Sequence, residues 1–512
     1  MATMVRSFAI QGIEGYPVEI EATLLEGMPM LSIIGLGDQA VREAGERIQA
    51  AINSAGYQFP KKKVILSLAP GDIRKRGSHF DLGMALAILQ ESEEVGAKNL
   101  GEYGVIGELA LNGSIRPCTG ILPMIMAASK NGIRKVIVPA GNYKEAKLIK
   151  NIEVFAFGGL SEAVRFLEGK GVSSQTVGEE ELPGEQNSVL DFADVKGQDE
   201  LIDAAVLAAA GGHNMLMIGE PGCGKTMIAQ RIPTILPEMT ESESLEITKI
   251  YSIAGLLKNG HTLVNARPFR APHHNASLNA LIGGGVNALP GEVSLAHNGV
   301  LFLDELTEFS RRTLDALRQP IEDKKVCISR VNGTNTFPAN FMFVTAMNPC
   351  PCGYYPGKKC RCTDYEIIKY RSRISGPIMD RIDVQKEVHP VGYFELESMA
   401  SSRDSKTLRN MVEAARKIQQ ERFADEEGVN SNAQMTTSMI QKYCGMDKET
   451  LSLLKENCEK YSYSARVIHK LMRMARTSAD LDGAEKIRRT DVERVLGCRD
   501  LDKSSSRMMV VT

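Results

Sequence analysis

The chain has 512 residues, of which 43% are hydrophobic and 24% charged, and its formal net charge at pH 7 is −2. This length predicts two or three domains, and the near-zero charge excludes nucleic-acid binding through a generally basic surface. The first residues lack the apolar core of a signal peptide, and no apolar stretch is long enough to span a membrane. We therefore expect a protein of the reducing cytoplasm, in which clustered cysteines among the ten bind metal rather than form disulfides.

Residues 1–168 alternate short apolar segments with helical patterns, which predicts an α+β domain with its own core. Alternating residues at 18–22 and the apolar run 64–68 indicate strands, whereas 41–55 and 81–89 have the spacing of helices. A charged cluster follows the second of these strands, and a solvated loop is favoured there over a ligand patch. It consists of Asp72, Arg74, Lys75, Arg76 and His79.

The segments Gly107-Glu108-Leu109, Gly120-Ile121-Leu122 and 132–139 follow one another as in the proteolytic domain of the Lon family, which this region resembles. The resemblance implies a ribosomal S5 domain 2-like fold. That family cleaves with a serine nucleophile and a lysine base, and the matching positions here hold His79 and Leu122. Because leucine cannot take a proton from a hydroxyl, we expect a non-proteolytic relative.

Residues 169–189 are rich in Gly, Ser and Glu and predict an exposed linker. After it we expect an α/β core over 190–390, a helical lid over 391–500 and a disordered tail over 501–512.

A phosphate-binding loop is the strongest signal in the second domain. The apolar run 215–218 predicts a buried strand, a G-x-x-x-x-G-K-T motif follows it, and a helical pattern begins at Thr226. Backbone N–H groups of such a loop cradle a triphosphate, with Lys225 on the β- and γ-phosphates and the Thr226 hydroxyl on Mg²⁺. We therefore expect ATP and Mg²⁺ to bind here. The motif residues are Gly219, Glu220, Pro221, Gly222, Cys223, Gly224, Lys225 and Thr226.

Two further strand ends carry the polar groups that such an ATPase needs. The apolar run before Asp304 and Glu305 predicts a Walker B strand, with Asp304 on Mg²⁺ and Glu305 orienting or deprotonating the attacking water. The strand at 341–346 leads to Asn348, which matches the sensor 1 position beside that water. An insertion at 267–292 contains His273-His274, for which loop contacts are favoured over metal ligation.

Alternating residues on both sides of Asn332-Gly333 predict a β-hairpin. The insertion and this hairpin together resemble the branch of AAA+ proteins that includes magnesium chelatases and replicative minichromosome helicases. In that branch, the position held here by Arg381 reaches the γ-phosphate of the neighbouring subunit, which implies a ring; a salt bridge to Asp380 or Asp383 is the alternative. Arg466, at the start of a lid helix, matches the sensor 2 arginine.

Four cysteines lie in two closely spaced pairs. Cys350 and Cys352, with Cys360 and Cys362, frame a loop of seven residues that contains two glycines and a proline. Four thiolates so close can form a tetrahedral Zn²⁺ site, and four reduced thiols in a polar loop are the alternative.

From residue 1 to about 500, the combination of these features resembles the YifB/ComM family of magnesium chelatase-like AAA+ ATPases. The resemblance implies a homo-hexameric ring and a DNA helicase that drives branch migration during natural transformation, acting on branched or single-stranded DNA. A magnesium chelatase-type motor and a regulatory or chaperone ATPase acting on protein are the alternatives. The expected DNA contacts are the hairpin cations Lys324, Lys325 and Arg330, which could instead pair with Glu322 and Asp323.

Overall fold

The computed structural model describes residues 3–96, 99–171, 190–257, 263–285, 288–330, 333–392, 403–426 and 428–501. The predicted linker, apart from 169–171, and the predicted tail, apart from 501, lie outside the described residues. The same holds for Asn332 at the expected hairpin tip.

The first domain is a mixed sheet covered by helices. Its strands are β1 (Thr3–Gln11), β2 (Glu14–Leu25), β3 (Met30–Ile34), β4 (Lys63–Ala69), β5 (Tyr103–Val105), β6 (Glu108–Leu109), β7 (Ile115–Arg116), β8 (Lys135–Pro139) and β9 (Glu153–Phe157). Its helices are α1 (Gln39–Arg42), α2 (Ala44–Ser54), α3 (Asp81–Glu91), α4 (Ile121–Lys130), α5 (Tyr143–Ala146) and α6 (Leu160–Leu167). Seven strands form one sheet in the order β3-β4-β2-β1-β5-β8-β9, while β6 and β7 pair separately.

Strand β2 shows why this sheet forms. Val18, Ile20 and Ala22 are buried, and Glu19 and Glu21 between them are exposed, which is the alternation expected of a sheet with one covered face. The helix predicted at 41–55 is interrupted: α1 ends at Arg42 and α2 begins at Ala44.

The positions that correspond to a peptidase dyad hold no proton-transfer pair. Leu122 is fully buried in α4. Burial lowers the pKa of His79 to about 4. The Ser78 hydroxyl donates a hydrogen bond to Glu108. The expectation of a solvated loop is wrong for Lys75, which has no exposed surface and whose pKa is lowered by burial.

The second domain is built on a parallel sheet. Its strands and the two adjoining hairpins are β10 (Met215–Gly219), β11 (Phe269–Arg270), β12 (Gly283–Gly284), β13 (Leu289–Pro290), β14 (Val300–Leu303), β15 (Lys325–Arg330), β16 (Gly333–Pro338), β17 (Met342–Met347) and β18 (Val384–Val388). The helices are α7 (Asp199–Gly211), α8 (Lys225–Ile235), α9 (Glu241–Ile253), α10 (Leu278–Ile282), α11 (Glu292–Leu295), α12 (Arg311–Ala316), α13 (Arg318–Asp323), α14 (Asp364–Arg371) and α15 (Gly376–Met379).

The five strands of this sheet run in the order β11-β14-β17-β10-β18, and every neighbouring pair is parallel. All residues of β10, β14 and β17 are buried, as expected for a parallel sheet with both faces covered. Because the strands are parallel, the loops after them gather at one edge, the carboxyl edge, and the residues before them at the opposite, amino edge.

A helical lid packs against α7 and α8. It comprises α16 (Ser405–Arg422), α17 (Thr437–Tyr443), α18 (Lys448–Lys460), α19 (Ala465–Leu481) and α20 (Arg489–Leu496). His213, just before β10, joins the lid to the sheet. Its Nε2 lies 2.9 Å from Thr477 Oγ1 in α19, and its Nδ1 lies 3.5 Å from Asp383.

The first domain rests directly on the second. The Lys249 ammonium of α9 lies 2.5 Å from Glu14 of β2, and the Ser252 hydroxyl donates to Glu145 at 2.5 Å. Burial raises the pKa of Glu145. The turn between β1 and β2 meets the hairpin, since a Cβ on Gly12 would lie 3.4 Å from the Thr336 carbonyl oxygen.

No helix in the described parts of the chain combines the length and the apolar character needed to cross a membrane.

Candidate nucleotide site and cysteine cluster

The phosphate loop connects β10 to α8 at the carboxyl edge. Gly222 and Gly224 have φ of +79° and +92°, conformations that L side chains rarely adopt. The Lys225 ammonium donates to the carbonyl oxygens of Gly219 at 2.7 Å and Glu220 at 2.9 Å. The lysine is therefore held across the concave side of the loop, beside the first turn of α8, where backbone N–H groups and the helix dipole favour phosphate.

Two oxygen ligands suited to Mg²⁺ lie together beside this loop. The Thr226 hydroxyl donates to Asp304 Oδ2 at 2.7 Å. Hydroxyl and carboxylate oxygens are the protein ligands that Mg²⁺ accepts, with phosphate oxygens and water completing its shell. When bound, the metal would neutralise charge on the phosphate oxygens, and Thr226 and Asp304 are the residues placed to hold it.

Asn348 lies between the phosphate loop and Glu305. It follows β17, which is the strand between β14 and β10, and its Oδ1 lies 3.4 Å from the Lys225 ammonium. The side-chain amide is thus at the centre of the site, where it can hydrogen-bond both the γ-phosphate and the attacking water.

Glu305 has an unusual backbone and an unexpected partner. Its φ of 50° and ψ of 48° lie in the left-handed region. Its Oε2 is 3.3 Å from Nδ1 of His274, which follows β11. The sequence favours loop contacts for this histidine. In the structure, the group that the histidine contacts is the proposed catalytic carboxylate. Strand β11, which brings them together, has only two residues and is too short to be recognised from hydrophobic periodicity in the sequence.

Arg381 lies at the amino edge, opposite the phosphate loop. Its carbonyl oxygen accepts a hydrogen bond from Asn214 Nδ2 at 2.7 Å, and Asn214 immediately precedes β10. The five residues of β10 span about 16 Å. The guanidinium pairs with Glu322 and donates to the Pro377 carbonyl, so neither of the two aspartates considered from sequence holds it.

Arg466 lies on the same side of the core as Arg381. Its guanidinium is 3.8 Å from Asp380, and its side chain is 81% exposed. Both arginines border a cavity of about 1060 Å³ between the amino edge and the lid. Its other cationic lining residues include Lys324, Arg416, Lys470 and Arg473. Neither arginine contacts the phosphate loop within the described residues.

The expected hairpin is present, but its expected cations do not lie on one surface. In β15, Lys325 is exposed, and Val326 and Ile328 on the opposite face are buried. Lys325 forms no ion pair with any described carboxylate. Lys324 instead lines the cavity beside Arg381, with its ammonium 5.9 Å from the Phe341 ring and its pKa lowered by burial. This placement argues against Lys324 as a DNA contact. The side chain of Arg330 lies outside the described residues.

The four paired cysteines converge on one point. The Sγ atoms of Cys350, Cys352 and Cys360 are 3.4 to 3.8 Å apart, and with Cys362 all four lie within 4.8 Å of one another. Tetrahedral Zn²⁺ with bonds of about 2.3 Å places its sulfur ligands about 3.8 Å apart. Backbone N–H groups of Arg361 and Tyr354 lower the pKa of Cys352 to about 6, whereas the pKa values of Cys360 and Cys362 are raised, so a metal would have to displace the protons of these two thiols.

The cysteine loop packs against the phosphate loop. A Cβ on Gly353 would come within 2.9 Å of the Pro221 ring, and a Cβ on Gly357 would lie 3.4 Å from a carboxylate oxygen of Glu220. The four-cysteine loop therefore packs against the outer turn of the phosphate loop. A metal ion that orders the four cysteines would also support that turn.

Comparison with known proteins matches three parts of the chain to models of one protein family. The family model of the magnesium chelatase subunit ChlI matches residues 191–396, a second ChlI model matches 20–142, and a ChlI C-terminal model matches 402–499. These matches and the parallel sheet confirm the predicted α/β fold class and identify the core as an AAA+ ATPase, which implies ATP and Mg²⁺.

Relatives that match nearly the whole chain support the same family assignment. The chain is 38% identical over 505 residues to uncharacterized protein YifB of Salmonella typhimurium, covering 98% of this chain and 97% of that protein. It is 38% identical over 500 residues to competence protein ComM of Haemophilus influenzae, covering 97% of each chain. A Lon protease of Mycolicibacterium smegmatis is 26% identical over 140 residues, 26% of this chain and 18% of that protein, in agreement with the Lon-like first domain.

Replacing Lys225 and Glu305 should separate binding from hydrolysis. Lys225→Ala removes a charged donor to phosphate and should weaken ATP binding by about 2 kcal/mol, or about thirtyfold in Kd. Glu305→Gln should bind ATP like the parent but hydrolyse it about a hundredfold more slowly, because the amide cannot accept a proton. Titration with a fluorescent ATP analogue and a phosphate-release assay measure the two effects; equal ATP affinity in Lys225→Ala and the parent contradicts the assignment.

Zinc should be present at one ion per chain. Elemental analysis of protein purified without a metal-affinity resin should find it, and Cys352→Ser with Cys360→Ser should remove it. Because the loop supports Pro221 and Glu220, the double variant should also bind ATP about tenfold more weakly, a loss of about 1.4 kcal/mol. Cys458→Ser, in α18 and outside the cluster, is the matched control. If the parent contains no zinc and the double variant binds ATP as tightly as the parent, the four thiols have no metal role.

Proposed function

We propose that this chain, which belongs to the YifB/ComM family of magnesium chelatase-like AAA+ ATPases, is a ring-forming, ATP-driven DNA motor that promotes branch migration during recombination of incoming DNA. The observation that carries the proposal is the separation of the ATP-site residues from Arg381 and Arg466. The first group lies at the carboxyl edge of the sheet, and the two arginines lie at the amino side.

A subunit with this arrangement cannot complete its own site. Lys225, Thr226, Asp304, Glu305 and Asn348 would act on the nucleotide held by their own loop. Arg381, at the other end of β10, would reach a nucleotide only across an interface, and its contact with exposed Glu322 would exchange for one with phosphate. Pairing the phosphate-binding side of one subunit with the arginine side of the next is heterologous, and such pairing closes into a ring where the rotation per subunit divides a full turn. Six subunits are expected from the family.

The hairpin is the part of the core best suited to grip DNA. Lys325 is exposed and free of ion pairs with described carboxylates, whereas Glu322, one candidate partner, is engaged by Arg381. A chain with a net charge of −2 needs such local cations, and a ring repeats each of them around its channel. The name of the Haemophilus influenzae relative, competence protein, supports recombination of incoming DNA as the setting.

A second candidate, a motor acting on protein, is favoured by one surface of the first domain. Met28, Met30, Ile34 and Leu36 are exposed along the edge strand β3 and the residues beside it, with Met28 87% and Ile34 55% accessible. Met30 and Ile34 share one face of this strand, and Met28 and Leu36 lie in the bends at its two ends, so exposed apolar groups accompany an open sheet edge, a surface that binds extended peptides in other proteins.

Mixing two inactive variants should restore hydrolysis if Arg381 acts across an interface. Arg381→Ala alone should reduce the ATPase rate by about a hundredfold, as loss of a transition-state cation does. Combined with Glu305→Gln subunits, it should regain a fraction of the parent rate, because some interfaces then pair an intact arginine with an intact carboxylate. The measurement is steady-state phosphate release at a range of mixing ratios. Parent-like turnover by pure Arg381→Ala contradicts the role.

Lys325→Ala should separate ATP hydrolysis from DNA engagement. In a ring of six, the change removes about six cations from the channel, so DNA affinity should fall and its salt dependence should flatten. Basal ATPase should stay at the parent level, while DNA stimulation and displacement of a strand from a branched substrate are lost. Lys455→Ala, an exposed lid lysine, is the control. Parent-like strand displacement by Lys325→Ala at matched salt contradicts a gripping role for the hairpin; stimulation by unfolded protein but not by DNA favours the second candidate.

A further inference from the structure

The cavity between the amino edge and the lid contains a cation that has no counter-charge of its own. The Lys324 side chain is half-buried in the wall of this cavity, and its ammonium forms no hydrogen bond or ion pair with the described residues. Its contact with the Phe341 ring, at 5.9 Å, is at the outer limit of a cation–π interaction. The position is therefore open to an anion that the chain itself does not supply.

The carboxylates closest to Lys324 are already engaged by other residues. Asp383 attracts the ammonium electrostatically, but its carboxylate lies 3.5 Å from His213 Nδ1 and 3.6 Å from the Lys470 ammonium. Glu322, two residues before Lys324, pairs with Arg381. Burial removes water from an ammonium, which costs free energy unless a paired anion replaces that water. An anion that enters the cavity from outside would recover this free energy.

We propose that Lys324 is a second cation, beside Arg381, that binds the phosphates of the nucleotide held by the neighbouring subunit. The inference rests on the proposed function, because only a ring brings a neighbour's nucleotide to the amino edge. Both side chains border the same cavity, and Glu322 connects the short Lys324 segment to Arg381. A compact ammonium on a flexible stem can follow phosphate oxygens as they move, whereas a planar guanidinium binds them in a fixed fork.

The backbone of Lys324 lies at the base of the β15–β16 hairpin. Its N–H donates to the Pro320 carbonyl of α13 at 3.1 Å, and its carbonyl accepts the N–H of Ala339, just after β16, at 2.8 Å. Lys325 is the first residue of β15. A force on the Lys324 side chain is therefore transmitted to both strands of the hairpin. Binding or release of the neighbour's phosphate would shift the element proposed to grip DNA.

The first test measures ATP hydrolysis without DNA. Lys324→Asn removes the charge and suits the left-handed backbone at this position, where φ is 55°, because asparagine adopts this region more readily than most residues. Its kcat should fall about tenfold, as expected for loss of one charged contact to phosphate, while its affinity for a fluorescent ATP analogue falls at most about threefold. Lys324→Arg keeps the charge and should retain at least about half of the parent kcat.

Mixing of subunits separates an action across the interface from a structural defect. Lys324→Asn and Glu305→Gln subunits together should hydrolyse ATP faster than the sum of their separate rates, because some interfaces then pair an intact lysine with an intact carboxylate. Lys417→Asn, at an exposed lysine of α16 outside the cavity, is the matched control and should turn over like the parent.

The outcomes distinguish this inference from the proposed function. A parent-like kcat for Lys324→Asn overturns the inference, and so does a mixture that gains nothing although Arg381→Ala recovers with the same Glu305→Gln partner. In both cases the ring proposal stands. If neither mixture recovers, the ring proposal and the inference fail together.

A second readout uses a single-stranded oligonucleotide as the probe. The DNA affinity of the parent should differ between Mg²⁺–ADP and a non-hydrolysable ATP analogue. In Lys324→Asn this difference should shrink at least about threefold, while the affinity in the ADP state stays at the parent level. A parent whose DNA affinity does not depend on the nucleotide, or a variant with the full difference, overturns the link between phosphate and hairpin. A parent that binds no DNA overturns both this link and the proposed function.

Discussion

The direction of the strands in the second domain determines where its chemistry can take place. In a parallel sheet every connection returns the chain to the same end, so the loops after β10, β14 and β17 meet at the carboxyl edge. Lys225, Asp304 and Asn348 come together for this reason, although they are far apart in sequence. The same constraint places Arg381, which precedes β18, at the far end of the sheet. For this reason the proposed role of Arg381 is at the nucleotide site of another molecule.

The lid and the arginine segment are connected by buried polar groups. His213 contacts both Asp383 and Thr477, and the Lys470 ammonium donates to the Ile382 carbonyl at 3.0 Å. The pKa of Asp383 is lowered despite its burial, because His213 and Lys470 surround its carboxylate. Buried polar networks with their partners in place fix geometry more strictly than apolar contacts do. A rotation of α19 would therefore move the segment that carries Arg381, which in the proposed ring links lid position to the neighbouring site.

Local sequence predicts the parts of the site that are built locally. The phosphate loop needs only a strand, glycines at positive φ and a helix, and all three are visible around Lys225. The Walker B and Asn348 positions follow from buried strands that end in polar residues. The cysteine cluster follows from spacing, since two close pairs separated by seven residues bring four thiols together.

Other features depend on packing between distant segments, and no local pattern contains them. His274 meets Glu305 only because a two-residue strand joins the sheet edge. Lys324 is separated from Lys325 because its left-handed backbone, with φ of 55°, ends α13 and turns the side chain into the cavity instead of along the hairpin. Lys75 is buried although it lies in a charged run. In each case the sequence indicates the chemistry of the residue, and the fold decides what it faces.

The contacts of the first domain suggest why a Lon-like domain without its dyad is kept next to a motor. Glu14 and Glu145 bind α9, and the turn at Gly12 packs against β16 of the hairpin. The domain therefore touches both a helix of the ATPase core and the element proposed to grip DNA. Lys249 is buried, so separating it from Glu14 would leave its ammonium without the carboxylate that compensates it, and the two domains are expected to move together. A first domain that moves with the core can support the hairpin mechanically during each ATP cycle, a role that requires a rigid fold and a matching surface but no catalytic residues.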